Sequence, residues 1–505
     1  MPRQPERGTP ALPPVRPEAP SSVGSETRRI RVRGQPVPAD TRPVRAVRAR
    51  RGAVGTRVTR FLPSGRDLLS IEACFALFLF SGRFKTLPEF NSIPVDLTAV
   101  FLVATIVLLG WAIGHHRIRP LPVRLPIVLM ILFSELALIS VSWSSLDSLN
   151  FDKLARFLLL TSPSYFMACM IAQDPVRRAR LVRMLAWVSC AIVGYYAFYR
   201  YALGVDMQSR TEPTGDNYLE YGEQASTLFI TVLALGVLGT RKQIPIAILG
   251  MGATLFLLLT LGSRGPLLFA LMAVPLLGLG VLVRLRSLAS RFTRLAVLIG
   301  GVLALGALGY LAAEQSGVAP GEIGSGFRTL ERIQLQLSRE STTSLDERAQ
   351  GQEFALEQWL KKPMLGWGIG EFRVENDYLK YPHNLLLEIL MEMGIIGGAL
   401  FASGCAISLW ACARIARDRT AGWVEAAVAL LFVTDLVSHL TVQGYLADDR
   451  IFFALTGMAV VACREPSRRR AALPGLFGRT RLPSILTRPR FAPARAPILS
   501  EPKAR

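Results

Sequence analysis

The residues best suited to chemistry lie in Tyr381-Pro382-His383-Asn384, where a polar stretch gives way to an apolar run beginning at Leu385. An imidazole titrates near neutral pH and can take a proton from a hydroxyl. Only three other histidines exist, His115, His116 and His439, so one in a polar loop stands out. Pro382 biases the residue before it to an extended backbone, and Asn384 suits the N-cap of the helix that follows. His383 thus reads either as a general base at the edge of a bilayer or as a polar residue marking a helix start. Glu388 and Glu392 follow one and two turns inward, on the face of Asn384. They could orient the imidazole, or partner a neighbouring polar helix.

Cations form the second group. Arg264 sits in the tight turn Gly262-Ser263-Arg264-Gly265-Pro266. Its planar guanidinium matches a diphosphate, or it could snorkel to lipid phosphates. Arg348 is a third candidate, with Asp346 and Glu347 beside it as possible neutralising partners. Arg200, Arg210 and Arg328 are further cations that chemistry alone does not rank. Asp435 and His439 stand one helical turn apart and form either a second polar site or a structural pair. Gly366, Gly368 and Gly370 have the spacing of a nucleotide fingerprint without a preceding strand, so they read as a turn. No cluster has metal-ligand spacing, and the six cysteines contain no C-x-x-C pair, so neither a zinc site nor a disulfide framework is expected.

What must position these residues is a membrane bundle. Hydrophobic residues make up 51% of the chain and charged ones 19%, and the apolar residues come in unbroken blocks. Blocks of about 17–25 residues suffice to cross ~30 Å of hydrocarbon. The expected fold is all-α and polytopic, with about twelve spans near 67–83, 96–114, 123–142, 154–172, 181–203, 225–239, 244–261, 266–283, 295–313, 385–412, 423–441 and 451–463. The first and last of these are the shortest and weakest. The formal charge of +21 would suggest nucleic acid in a soluble protein. In a membrane protein it reflects Lys and Arg gathered on cytoplasmic segments, and no nucleic-acid partner is expected.

Arg117, Arg119 and Arg124 share one set of alternate loops with Arg177, Arg178, Arg180 and Arg183. Asp206, Glu212, Asp216, Glu220 and Glu223 fall in the opposite set, with Asp448 and Asp449. The positive-inside rule makes the first set cytoplasmic, together with both termini, and places the long 314–384 loop on the outer side. A connection of that size is usually functional. Within it Glu347–Lys362 has helical character, with Phe354, Leu356, Trp359 and Leu360 as one apolar face suited to a membrane surface. The chain therefore divides into a disordered Pro/Arg-rich tail (1–66), spans one to nine (67–313), a catalytic loop between spans nine and ten (314–384), three further spans (385–463) and a basic tail (464–505).

Arg348, Trp359, Pro363, Gly366-Trp367-Gly368, Phe372, Tyr381-Pro382-His383-Asn384-Leu385, Glu388, Glu392, Gly394 and Gly397 together resemble the O-antigen ligase and O-antigen polymerase superfamily, as does Ser263-Arg264-Gly265. The motif resemblance covers about 260–400 and the topology about 67–463. Members are bacterial inner-membrane glycosyltransferases that use undecaprenyl-diphosphate-linked glycan, without nucleotide, metal or other cofactor. The resemblance implies that Arg264 and Arg348 grip the diphosphate while His383 activates an acceptor hydroxyl. Asn384, Glu388, Glu392, Arg200 and Arg328 would be substrate-side residues. The acceptor would be lipid A core for a ligase, or a second lipid-linked glycan for a polymerase. A protein O-glycosylating relative is a third possibility. A reading from another class, a transporter or flippase of lipid-linked glycan, has no need of a long loop ending in His-Asn.

Overall fold

The computed structural model describes residues 65–84, 94–203, 218–283, 288–315, 327–338, 343–376 and 378–463. The two expected tails lie outside these except for residues 65–66, as do Asp206, Arg210, Glu212, Asp216 and parts of the long loop. Among the described residues every regular element is helical. The longer ones, in chain order, are α1 (Ile71–Phe84), α2 (Leu97–Gly114), α3 (Leu125–Ser140), α4 (Ser148–Ala172), α5 (Pro175–Ala202), α6 (Tyr218–Leu238) and α7 (Ile244–Thr260). There follow α8 (Arg264–Val283), α9 (Leu288–Gln315), α10 (Arg328–Leu337), α11 (Thr343–Lys361), α12 (Leu385–Arg417), α13 (Trp423–Thr441) and α14 (Arg450–Ala462).

Ten of these helices are long and apolar enough to cross a membrane, and the chain is an all-α polytopic membrane protein. The first and last expected spans are shorter: α1 has 14 residues and α14 has 13. At about 1.5 Å per residue each reaches only ~20 Å. Both pack inside the bundle, α14 against α4, α12 and α13, and α1 against α2 and α5. Starts are set by caps that satisfy otherwise orphaned amide N–H groups. Asp96 accepts from Thr98 and Ala99, Asp147 from Leu149, and Asp174 from Val176 and Arg177. α6 is the most buried of these helices and α9 the least, with Leu303, Leu305, Leu308 and Leu311 exposed.

Two departures from regular helix matter for the site. In α4 a wider π-type turn occupies Phe157–Thr161, just before Pro163. Proline has no N–H to return to the carbonyl four residues earlier, so the local hydrogen-bond register can widen there. In α12 the helix breaks at Gly394, whose φ of 62° and ψ of −166° are non-helical. The break is filled by the loop after α11. Trp367 and Gly368 donate to the carbonyls of Met391 and Glu392 at 2.9 and 2.8 Å, and Ile395 donates to Pro363 at 2.8 Å. A Cβ on Gly394 would lie 2.2 Å from the Met364 carbonyl oxygen, so only glycine fits. α12 is thus a short outer piece, Leu385 to Met393, on top of a piece long enough to span.

The long loop is largely built. α11 packs along α12, and α10 packs against α7 and α8. The expected apolar face of α11 divides in two. Phe354 and Trp359 turn inward onto Ala355, Phe372 and Met391, whereas Leu356 and Leu360 are exposed. The inner stripe follows Gly351, Phe354, Ala355 and Trp359 at helical spacing.

Candidate active site

Where the broken α12 begins, Asn384 caps its first turn. Its side-chain oxygen accepts from Leu386 and Leu387, both at 3.1 Å, and its amide donates to the Leu440 carbonyl at 2.9 Å. The residue before it, His383, has a φ of 56°, a left-handed conformation uncommon outside glycine. That twist turns the imidazole toward the segment between α13 and α14, where Nδ1 meets the Val442 carbonyl at 2.9 Å. A carbonyl can only accept, so Nδ1 carries the hydrogen and Nε2 keeps its lone pair. The Tyr381 ring lies 4.4 Å from the imidazole centroid to centroid. Burial, the largest influence, holds the imidazole below its ordinary pKa, and Arg348 pushes the same way against the Val442 carbonyl and Glu347. At neutral pH His383 is a neutral base with one ring nitrogen committed.

The imidazole lines a cavity of about 1130 Å³ that it shares with Tyr381, Lys380, Arg348 and Arg156. Arg348 makes no hydrogen bond and no ion pair among the described residues, so Asp346 and Glu347 do not neutralise it by contact. The other cations on the cavity wall are engaged. Arg83 bridges to Glu223, Arg156 to Asp152 at 3.0 Å, and Lys380 to Asp448 at 3.4 Å. Arg450 donates to the Phe78 carbonyl and to Ser81. An acidic wall faces them: Asp449 lies 3.2 Å from His439 Nε2, and Asp435 accepts from His439 Nδ1 through its backbone carbonyl at 2.8 Å. Part of the lining is apolar, with Leu102 and Ile106 of α2 and Leu158, Leu159 and Pro163 of α4. Ile106 and Leu159 are 52% and 65% exposed, so this flank continues onto the outer surface of the bundle.

Residues 248–402, from α7 through the start of α12, match the family model described as O-antigen ligase. Within residues 248–402 the chain is similar to O-antigen ligases. No curated protein matches the chain. The matched residues include Arg264, Arg348 and His383. That similarity and the ten long apolar helices support a multi-pass membrane protein in O-antigen ligase- or polymerase-type processes.

Not all the expected site residues of this O-antigen ligase domain meet. His383 and Arg348 share the cavity; Arg264 does not line it. The Arg264 turn is close, since a Cβ on Gly265 would lie 3.5 Å from the Val442 side chain. Its guanidinium instead points to α10, donating to the Gln336 side chain at 2.6 Å and the Arg332 carbonyl at 3.3 Å. Thr329 and Arg332 of α10 also grip Gly262, so the turn and α10 form one unit. Arg328 starts α10, and Arg200 lies in the last turn of α5. Neither lines the cavity.

Glu388 and Glu392 do not touch the imidazole. Both are fully buried and directed at Lys153 of α4, which bonds to Glu388 and to both oxygens of Glu392 at 2.6 and 2.7 Å. A buried carboxylate without a counter-charge is far costlier than a paired one, and the ammonium supplies that charge. Asn384, too, is used up by its cap and by Leu440. In the sequence Lys153 is inconspicuous, because a basic residue at the edge of an apolar block reads as a boundary. Its i to i+4 carboxylate pair on α12 was the one available signal. Asp435 and His439 line the cavity, and His439 lies between Asp435 and Asp449, at 3.4 and 3.2 Å.

Proposed function

We propose that this protein is a glycosyltransferase that moves a glycan from a polyprenyl diphosphate, undecaprenyl diphosphate in a bacterium, to an acceptor hydroxyl in surface-polysaccharide synthesis. The observation that carries this is a guanidinium, Arg348, with no hydrogen bond or ion pair among the described residues, in one cavity with an imidazole whose Nε2 lone pair is fixed by the Val442 carbonyl. Nε2 takes the proton of the acceptor hydroxyl as that oxygen attacks the anomeric carbon. The new carbon–oxygen bond forms as the bond from the anomeric carbon to the diphosphate oxygen breaks. The electron pair leaves on the diphosphate, where Arg348 stabilises the developing charge. The imidazolium then releases its proton to solvent. A single displacement of this kind inverts the anomeric centre, and the energy resides in the donor's phosphoester bond. This chemistry calls on no metal.

The apolar flank between α2 and α4 suits a polyprenyl tail that stays in lipid while its head reaches the polar part of the cavity. Arg264 contributes at one remove, by holding α10 and the Gly262–Gly265 turn beside Val442. The positive-inside reading puts this cavity on the periplasmic face of the inner membrane, with both termini cytoplasmic. We favour transfer to lipid A core, the ligase reaction, over joining of two lipid-linked repeats, because the matching family model is that of O-antigen ligase. A transporter reading is less well supported, since the opposite end of the bundle is closed by ion pairs of Arg177, Arg178 and Arg180.

The test is complementation of a deletion strain with wild type and His383→Ala. Wild type should restore surface glycan, and His383→Ala should not while reaching the membrane in equal amount. Long chains stranded on polyprenyl diphosphate in the deletion strain indicate a ligase; single repeats indicate a polymerase. Full glycan from His383→Ala would remove the general-base reading.

A further inference from the structure

The Lys153 cluster lies outside the cavity, yet it controls a piece of backbone on which the cavity depends. The Lys153 side chain is 2% exposed, and its ammonium donates all three hydrogens to carboxylate oxygens, one of Glu388 and two of Glu392. Each carboxylate then reaches onward. The second oxygen of Glu388 accepts from the backbone N–H of Leu446 at 3.1 Å, and Glu392 accepts from Phe372 at 3.4 Å. Lys153 also lies 5.2 Å from the centre of the Tyr445 ring. One ammonium therefore joins α4, the outer piece of α12, the loop after α11 and the segment between α13 and α14.

That last segment carries the groups that shape the site. Val442 offers the carbonyl that sets the His383 tautomer, and Tyr445, Asp448 and Asp449 line the cavity. No helix orders it between Thr441 and Arg450. It is held instead by Glu388 at Leu446, by Thr161 at the Ala447 carbonyl, and by Gly444, where a Cβ would sit 2.5 Å from the Leu385 nitrogen. Buried ion clusters are seldom more stable than apolar residues of the same shape. What they add is direction: a carboxylate pinned on one oxygen presents the other at a fixed place.

We infer that Lys153 is a positioning residue. By pinning Glu388 it fixes the Leu446 amide, and through that segment the Val442 carbonyl that keeps His383 Nε2 free for proton transfer. This rests on the base role given to His383 above.

Lys153→Met alone leaves two buried carboxylates facing each other and is expected to lower the amount of folded protein, so two neutralised clusters make the test. The first is Lys153→Met/Glu388→Leu/Glu392→Leu, which removes charge and the Leu446 acceptor together. The second is Lys153→Met/Glu388→Gln/Glu392→Leu, which removes charge but keeps an acceptor. Both should accumulate in the membrane and melt near wild type. The first should lose about 10- to 100-fold in kcat, as expected for a misplaced catalytic group, with KM for the lipid-linked donor unchanged because Arg348 is untouched. The second should regain most of that kcat. Wild-type kcat in the first variant, or equal loss in both while folded, overturns the inference. His383→Ala run alongside separates the two claims: if it stays active, the base role fails, whatever Lys153 does.

Discussion

The two ends of the helical bundle carry similar side chains and dispose of them differently. At the end where α5 and α13 begin, arginines are closed off by acids. Arg178, fully buried, pairs with Glu425 at 2.9 Å and donates to the Ala172 carbonyl. Arg177 and Arg180 converge on the buried Glu72, and Arg180 also reaches Asp67 at 2.7 Å. At the other end a cavity stands open, and Arg348 faces it with no ion pair among the described residues. Charge neutralised by its neighbours holds helices together. Charge left without a neighbour is available to an anionic substrate. The comparison separates residues that make the fold from residues that make the reaction, and it can be broken by mutation at either end.

The largest effect is expected at His383. Removing a positioned base costs typically 10²- to 10⁴-fold, so His383→Ala should abolish measurable transfer while leaving membrane accumulation intact. Arg348→Gln should follow, with about a 10²- to 10³-fold loss if the guanidinium meets charge developing in the transition state. Since no described residue loses a partner, its melting temperature should be that of wild type. A destabilised Arg348→Gln would mean that this cation is structural too, and the contrast between the ends would fail.

Arg178→Met should show the reverse pattern. It strips Glu425 of its counter-charge in a largely buried setting, where breaking one side of an ion pair costs about 3–5 kcal/mol. Folded protein should fall sharply, and the fraction that folds should transfer glycan at the wild-type rate, measured per folded molecule. Gly394→Ala belongs with it. The left-handed backbone and the nearby Met364 carbonyl make any side chain strained there, at a cost of about 1–3 kcal/mol from backbone conformation alone. Thermal melting in detergent distinguishes these from the catalytic variants.

How much of this the sequence shows depends on whether a property is local. Span positions follow from apolar composition, which each segment carries by itself, and α2 to α9, α12 and α13 lie close to where the pattern puts them. His383 was visible for the same reason: a rare residue type, at a helix start, beside its own N-cap. The break in α12 was not visible, because a glycine in an apolar run looks like any other until the Pro363–Gly368 loop is laid into it. Glu388 and Glu392 were conspicuous, but their partner lies more than two hundred residues earlier in the chain. Glu223 and Asp449 served only to orient the loops, although folding carries them to the cavity wall. The Arg264 turn could be read; the direction of its guanidinium, toward α10, could not.

The smallest effect sharpens the comparison most, since it tests the electrostatics of the open end without removing any catalytic group. Burial and Arg348 hold the His383 imidazole below its ordinary value near 6.5, while Glu347 opposes them. The base works only when deprotonated, so transfer should persist below pH 6.5 and fail as pH drops through the depressed value. Glu347→Gln removes a group that favours the imidazolium, and the acid limb should therefore move to still lower pH with the plateau rate unchanged. A pH–rate profile of kcat/KM for the two proteins reports this directly, because it follows the free enzyme's base. A limb that moves upward, or not at all, would mean that His383 does not sense the cavity's charges. Arg348 would then be too far away, or too well screened, to act on the same substrate.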